Sequence, residues 1–431
     1  MGNRGPQQTL EQRILLTSTL CLMALGAVMV YSASSATTVL EGHGTGTSYL
    51  VRYLVFGALG LLAMRLLARR GVALVPRITG PLLFASFVLV VAVHIPHVGV
   101  SINGGRRWVG AGVLRFEPAE LMKLALVLYC ATLIARRPRR VLSVRALARP
   151  LLLVCGAACT LVAVEPDIGS AMVIAMTVCA MLVAAGMPPR QLAKLAGGVA
   201  FVVVVYALAR PYARARLTSF INPWAHATGS GFQSVQAQIA LGSGGLFGVG
   251  PGQSVQKAFF LPEAPTDFIL AVIGEELGVL GVGAALSLYG LIAYAGLRAA
   301  RQARSLYSAL IAVGATALIV SQALLNSFAV LGMAPLTGVP LPLVSYGSTS
   351  LIVTLAAMGL LLGVAGGQSA HLRALPSDQR RRSGGAPARA SRGAERAASS
   401  ASGAVAGRAG RAESAGLAGA QNTRRRRAGA G

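Results

Sequence analysis

Residues 306–331 read Leu-Tyr-Ser-Ala-Leu-Ile-Ala-Val-Gly-Ala-Thr-Ala-Leu-Ile-Val-Ser-Gln-Ala-Leu-Leu-Asn-Ser-Phe-Ala-Val-Leu. No charged side chain interrupts them. An α-helix needs about 20 such residues to cross a hydrocarbon core of roughly 30 Å, so the stretch predicts a transmembrane helix. Working outward, comparable runs occupy 14–34, 49–68, 73–93, 119–135, 148–164, 167–187, 191–209, 268–297 and 343–366. The expectation is an all-α integral membrane protein, a bundle of ten transmembrane helices. Composition agrees: 54% of the 431 residues are hydrophobic and 12% charged, about half the charge of a typical soluble domain. A soluble globular enzyme, a disordered chain and a disulfide scaffold are excluded. The alternating pattern of an outer-membrane barrel is absent.

Arg13 before the first run and the small residues Ala33 to Ala36 after it imitate a signal peptide. The run is longer than the 7–15 residues of a typical signal core, so it is read as an uncleaved span. The five cysteines all lie inside apolar runs and read as small buried hydrophobes.

Net charge is +26, from 39 Lys and Arg against 13 Asp and Glu. Nucleic-acid binding is the obvious alternative, but most of these charges flank apolar spans or sit in the C-terminal tail. Short basic segments mark the cytoplasmic side. That bias, with an even number of spans, places both termini in the cytoplasm. Three parts follow: an N-terminal segment 1–13, a membrane domain 14–366 with a long outer loop 210–267, and a basic, disordered tail 367–431. The tail is rich in Ala, Gly, Ser and Arg and has too little apolar bulk to bury. The outer loop, with its apolar patches, is expected to fold back on the membrane surface.

Charged groups inside spans are costly and are functional candidates. Glu120 and Lys123 share a helix face at i, i+3 spacing, and Asp167 lies in the tight Glu165-Pro166-Asp167 hairpin. These three read either as a structural ion pair or as the polar centre of the bundle. Asp267 stands where the outer loop enters an apolar helix, preceded by Glu263 and Thr266. It is either a helix cap or a partly desolvated base. Glu275 and Glu276 lie about two turns deeper. Gly242 to Gly252 is glycine-rich but lacks the Gly-Lys-Ser/Thr ending of a phosphate loop. It is either a connector or a backbone cradle for a phosphate or sugar. Arg106, Arg107, Arg210, Arg214, Arg216 and Lys257 break the positive-inside bias. They are surface charge or the counterpart of an anionic headgroup. His94 and His97 have no nearby third ligand in sequence, and no metal site is assigned. Trp108 and Trp224 fit an interfacial aromatic belt.

Taken together, several motifs resemble the SEDS family of cell-wall proteins, the FtsW, RodA and SpoVE group. They are Asn103-Gly-Gly-Arg-Arg-Trp108, Glu117-Pro-Ala-Glu-Leu-Met-Lys123, Glu165-Pro-Asp-Ile-Gly169, Asn222-Pro-Trp224, Gly242-Ser-Gly-Gly245, Leu261 through Leu277, Gly338-Val-Pro-Leu-Pro342 and Ser345-Tyr-Gly347. The match runs in order over 12–366. Val30-Tyr-Ser-Ala-Ser-Ser35 and Ile273-Gly-Glu-Glu-Leu-Gly278 resemble the division branch more than the elongation branch. The resemblance implies a peptidoglycan glycosyltransferase that polymerises lipid II on the outer face of the cytoplasmic membrane at the division septum. A lipid II flippase and a non-catalytic scaffold are the competing readings. It also implies Asp267 as the catalytic carboxylate and a buried pair between Lys123 and Asp167. The substrate-binding candidates are the six basic residues above with Glu263, Glu275 and Ser345. The implied partners are lipid II, a class B transpeptidase (a penicillin-binding protein) and other division proteins, with no nucleic acid. No cofactor is assigned, with a divalent cation such as Mg²⁺ the alternative to arginine at the leaving pyrophosphate. Two positions depart from the family pattern: Pro265 stands where His precedes Thr-Asp, and Ser348 where a second Gly follows Ser-Tyr-Gly.

Overall fold

The structure, a computed structural model, describes residues 8–40, 47–96, 98–102, 105–111, 114–138, 141, 143–209, 211–258 and 260–369. The tail from 370 and Arg210 lie outside the described residues. Helices dominate: α1 (Leu10–Leu40), α2 (Thr47–Ala92), α3 (Pro118–Arg136), α4 (Val144–Leu147), α5 (Leu153–Val164), α6 (Ile168–Ala184), α7 (Pro189–Ala209), α8 (Pro211–Ile221), α9 (Phe232–Ser243), α10 (Ile269–Gln302), α11 (Leu306–Val330) and α12 (Ser348–Ala365). Among the described residues six helices are long and apolar enough to cross a bilayer: α1 over 10–35, α2, α3, α10, α11 and α12. The expected spans 148–164 and 167–187 fall on shorter apolar helices, the first entered through a π-turn, Ala148–Leu152, that holds Pro150.

Expected spans 49–68 and 73–93 share one helical run. A straight helix of 46 residues would extend about 69 Å, yet both halves of α2 reach the same end of the bundle. Gly57 faces Leu351 near the start of α12, and the Ser86 hydroxyl donates to Met122 Sδ one turn into α3. The starts of α3 and α12 are themselves joined, Glu117 N–H donating to Thr349 Oγ1 at 3.0 Å. The chain therefore reverses within α2, in the region of Gly71, Pro76 and Pro81, where proline removes ladder donors. The first half runs parallel to α12 in close contact. A Cβ on Gly60 would lie 2.5 Å from Leu355, and one on Gly359 2.5 Å from the Met64 carbonyl. Small residues allow such backbone approach between apolar helices.

α10 departs from the continuous span expected over 268–297. Gly278 takes φ 68, ψ −165 and divides the helix. The ladder bonds that would join Glu275 to Val279 and Glu276 to Leu280 are replaced by the glycine-rich loop. Val249 and Gly250 N–H groups donate to the carbonyls of Glu275 and Glu276 at 2.9 and 3.1 Å, while Val279 and Leu280 donate to Gly245 and Leu246 at 3.0 and 3.3 Å. These four backbone groups at the break are thus satisfied, as an apolar surrounding demands. Glycine is required for contact: a Cβ on Gly248 would lie 2.1 Å from the Glu276 carbonyl. This stretch is a clasp on the broken helix, and its bonds go to protein backbone.

The sequence reading contained no strands, but a three-stranded antiparallel sheet lies between α2 and α3: β1 (Gly99–Ile102), β2 (Gly105–Ala111) and β3 (Leu114–Phe116), in that order. Ile102 pairs with Gly105, and the residues between them are Asn-Gly, the commonest two-residue hairpin signal. The long segment 210–267 also has its own structure in α8 and α9. α9 packs Leu241 against Gly274 of α10.

Candidate active site

Alternation along β2 sends adjacent side chains to opposite faces. Arg106 is exposed and Arg107 half-buried. Arg107 donates from Nε to the Glu165 carbonyl at 3.1 Å and from Nη2 to the Pro166 carbonyl at 2.5 Å, which ties the sheet to the α5–α6 turn. Glu165 is buried with no hydrogen-bond partner on either carboxylate oxygen. Burial, with Asp167 adding to it, pushes its pKa up to about 8, against the opposing pull of Arg107.

Asp267 is placed by an unusual turn. Glu263 adopts φ 60, and its carbonyl collects the N–H groups of Thr266, Asp267 and Phe268 at 3.2 to 3.4 Å. The Glu263 carboxylate accepts the Thr266 hydroxyl at 2.9 Å. Pro265 gives its carbonyl to Tyr346 N–H at 2.9 Å. The N-cap of α10 is Phe268, with no side-chain cap bond, so Asp267 does not cap that helix. Its side chain instead lines a small cleft with Arg216, Gln233, Asn326, Thr337 and Gly338. The Asp267 Oδ2 and Arg107 Nη1 atoms both lie close to Gly338, at 3.5 and 3.7 Å from where its Cβ would stand. Burial chiefly, and Glu263 next, push the Asp267 pKa up to about 7, while Arg107 and Arg216 pull it down. A carboxyl poised there is matched to proton transfer near neutrality.

Arg216, half-buried, donates to the Leu336 carbonyl at 2.8 Å from the cleft wall. Asn326 of α11 is uncharged, so it is not among the candidates that charge inside a span marks in the sequence. Its Nδ2 donates to the Asp267 carbonyl at 2.7 Å and the Val339 carbonyl at 2.8 Å. A polar residue inside an apolar span was the available signal.

Other candidates sit elsewhere. Lys123 donates to Glu120 Oε1 at 2.8 Å, both groups buried. Asp167 accepts Ser170 N–H at 3.0 Å as the N-cap of α6, so the bonded partner of Lys123 is Glu120 and not Asp167. Burial, with Glu120 and Asp167 nearby, raises the Glu117 pKa well above the ordinary range, so Glu117, Glu120, Asp167, Lys123 and Arg107 form one electrostatic neighbourhood. Lys257 is a correction: it is buried, donating to Glu276 Oε1 at 2.8 Å, Ser32 Oγ at 3.0 Å and the Gly252 carbonyl at 2.8 Å. Its ammonium is held inside the protein because Glu276 is buried beside it. Glu275 likewise accepts Ser254 Oγ at 2.5 Å and Val255 N–H at 2.9 Å. Ser345 closes a local turn by accepting Leu341 N–H at 2.8 Å. Arg106 and Arg214 are exposed, and Arg210 lies outside the described residues. Ser348 donates to the Arg115 carbonyl at 3.1 Å, fastening the start of α12 to β3. Among the described residues no group of three or more His, Cys, Asp or Glu side chains is arranged to hold a metal ion.

The fold and cleft define a class, a polytopic helical protein with a carboxylate at the rim of its bundle. The sequence profile of the FtsW/RodA/SpoVE family, described as cell cycle protein, matches residues 12–369, and the chain belongs to that family. It is 41% identical over 365 residues to the probable peptidoglycan glycosyltransferase FtsW of Thioalkalivibrio sulfidiphilus, covering 83% of this chain and 91% of that one. Stage V sporulation protein E of Bacillus subtilis is 37% identical over 362 residues, covering 83% and 98%. Among solved structures, a chain from a peptidoglycan synthase complex that coordinates polymerisation and crosslinking matches with TM-score 0.67 and 31% identity, over 81% of this chain and 96% of that one. The rod shape determining protein RodA of Thermus thermophilus matches with TM-score 0.58, 31% identity, and coverage of 81% and 95%. The chain is a multi-pass membrane protein.

Proposed function

We propose that this chain is a peptidoglycan glycosyltransferase that polymerises lipid II on the outer face of the cytoplasmic membrane during cell division. It crosses the membrane ten times over 14–366 with both termini inside. The observation that carries the reading is Asp267: a carboxylate with pKa near 7, uninvolved in capping, lining a cleft beside Arg216 and close to Arg107. The kinship with proteins named peptidoglycan glycosyltransferase supports the reaction class.

In this reaction a sugar hydroxyl of the acceptor attacks the anomeric carbon of the growing chain, and undecaprenyl pyrophosphate leaves. Asp267 accepts the hydroxyl proton. Single displacement inverts the anomeric centre. Arg216 and Arg107 stabilise the negative charge that develops on the pyrophosphate. Likeness to a chain from a polymerising and crosslinking complex supports a transpeptidase partner, and action at the septum follows from the division-branch kinship. Purified protein in lipid nanodiscs supplied with lipid II should make glycan strands, and Asp267→Ala should make none while remaining inserted. Polymerisation by that variant at the wild-type rate overturns the assignment. Transfer of lipid II between leaflets without strand formation supports transport in its place.

A further inference from the structure

Resting on that reading, we propose that Asn326 and Thr337 form a subsite in the Asp267 cleft for a neutral group that both donates and accepts a hydrogen bond. The group is a secondary amide, such as the acetamido substituent of an N-acetylated sugar. Both side chains are at least nine-tenths buried and both line the cleft. Asn326 uses its two amide hydrogens on the Asp267 and Val339 carbonyls. That orients its Oδ1, which is buried with no partner, as is the Thr337 hydroxyl. Native proteins pair nearly all buried polar atoms, so two such atoms on residues that line one cleft lack partners that a ligand settling into the cleft would supply.

The chemistry of the pair selects the ligand. Asn326 Oδ1 is only an acceptor here, because its donors are engaged, and it requires an N–H or O–H. A phosphate or carboxylate has no proton to offer it, so anions belong to the arginine side of the cleft. The Thr337 hydroxyl can donate to a carbonyl. A secondary amide presents both halves at once: N–H to Oδ1 and C=O to the threonine. Both residues are coupled to the carboxylate through the backbone. Asn326 holds the Asp267 main chain, and Thr337 precedes Gly338, which lies against Asp267 Oδ2. A sugar anchored by its amide is thereby presented to Asp267.

The test compares lipid II with a version whose sugars carry hydrogen in place of the acetamido groups, so that both the N–H and the C=O are lost without adding charge. Binding to the purified full-length protein in nanodiscs is measured directly, alongside polymerisation. Wild type should bind the acetylated form about tenfold more tightly, since a site built for a hydrogen-bonding group rejects the analogue lacking it. Thr337→Val, which removes the hydroxyl at nearly constant volume, should reduce the preference to below about twofold, with the loss in KM and kcat little changed. Thr337→Ser should restore it, and its folding is checked by thermal denaturation. Equal binding of the two lipids to wild type, or an unchanged preference in Thr337→Val, overturns the subsite. Absence of polymerisation by wild type with the binding preference intact sinks the glycosyltransferase reading and leaves the subsite standing.

Discussion

Two regions of this molecule hold buried or half-buried carboxylates near cations, and they handle them in opposite ways. At the break in α10, both oxygens of Glu275 and the Oε1 of Glu276 meet donors from Ser254, the Val255 N–H, Lys257 and Ser32, while Glu276 Oε2 is buried without a partner. At the cleft, Asp267 is held by its backbone, through Asn326 and the Glu263 carbonyl, and its side chain lines the cleft. A carboxylate tied to a cation or hydroxyl through its side chain contributes to structure. One fixed only through its main chain keeps its lone pairs for a reactant. Charge inside an apolar bundle therefore does not identify the site by itself; a carboxylate that also lines a cleft beside cations is the better candidate.

The contrast breaks most visibly at Asp267. Asp267→Asn keeps the shape and should reduce glycan synthesis about a thousandfold or more with the melting temperature in detergent unchanged. A comparable activity loss accompanied by unfolding would put Asp267 with the structural carboxylates. Lys257→Met should do the reverse, destabilising by about 3–5 kcal/mol because Glu276 is left charged and unpaired. Adding Glu276→Gln should return most of that stability in the same thermal assay. Gly248→Ala places a methyl 2.1 Å from the Glu276 carbonyl at φ 83, with an expected cost of about 1–3 kcal/mol. The smallest effect is a shift in pH dependence. The ionised form of Asp267 is the competent one, so activity should fall about tenfold per unit below pH 7. Arg216 lowers the Asp267 pKa, so Arg216→Gln should move that acid limb to higher pH, by up to about one unit. An acid limb unmoved in that variant would detach Arg216 from the carboxylate.

The helical bundle was legible because apolar length is a local property; Asp267 stood out as a candidate because a charge at the mouth of an apolar run is conspicuous, but its position alone allowed a helix cap as readily as a base. The destination of Lys257 was not legible. Its partner Glu276 lies 19 residues on and Ser32 lies 225 residues back, and only the fold brings them together. The break at Gly278 was hidden because its neighbours Leu277 and Val279 continue the apolar pattern, and the compensating bonds come from a segment some thirty residues earlier. The sheet had a visible signal in Asn103-Gly104 flanked by Val100, Ile102, Trp108 and Val109, which the dominant apolar runs obscured.

The interrupted α10 has a mechanical consequence. The nine residues from Ile269 to Leu277 carry Asp267 at their upper end. At their foot they are bonded sideways to 245–250, where an unbroken helix would be bonded downward to Val279 and Leu280. The carboxylate stands on a short post whose footing is the glycine clasp. A displacement of that clasp is passed to Asp267 directly, without bending the lower twenty-odd residues of the helix that anchor it to the rest of the bundle.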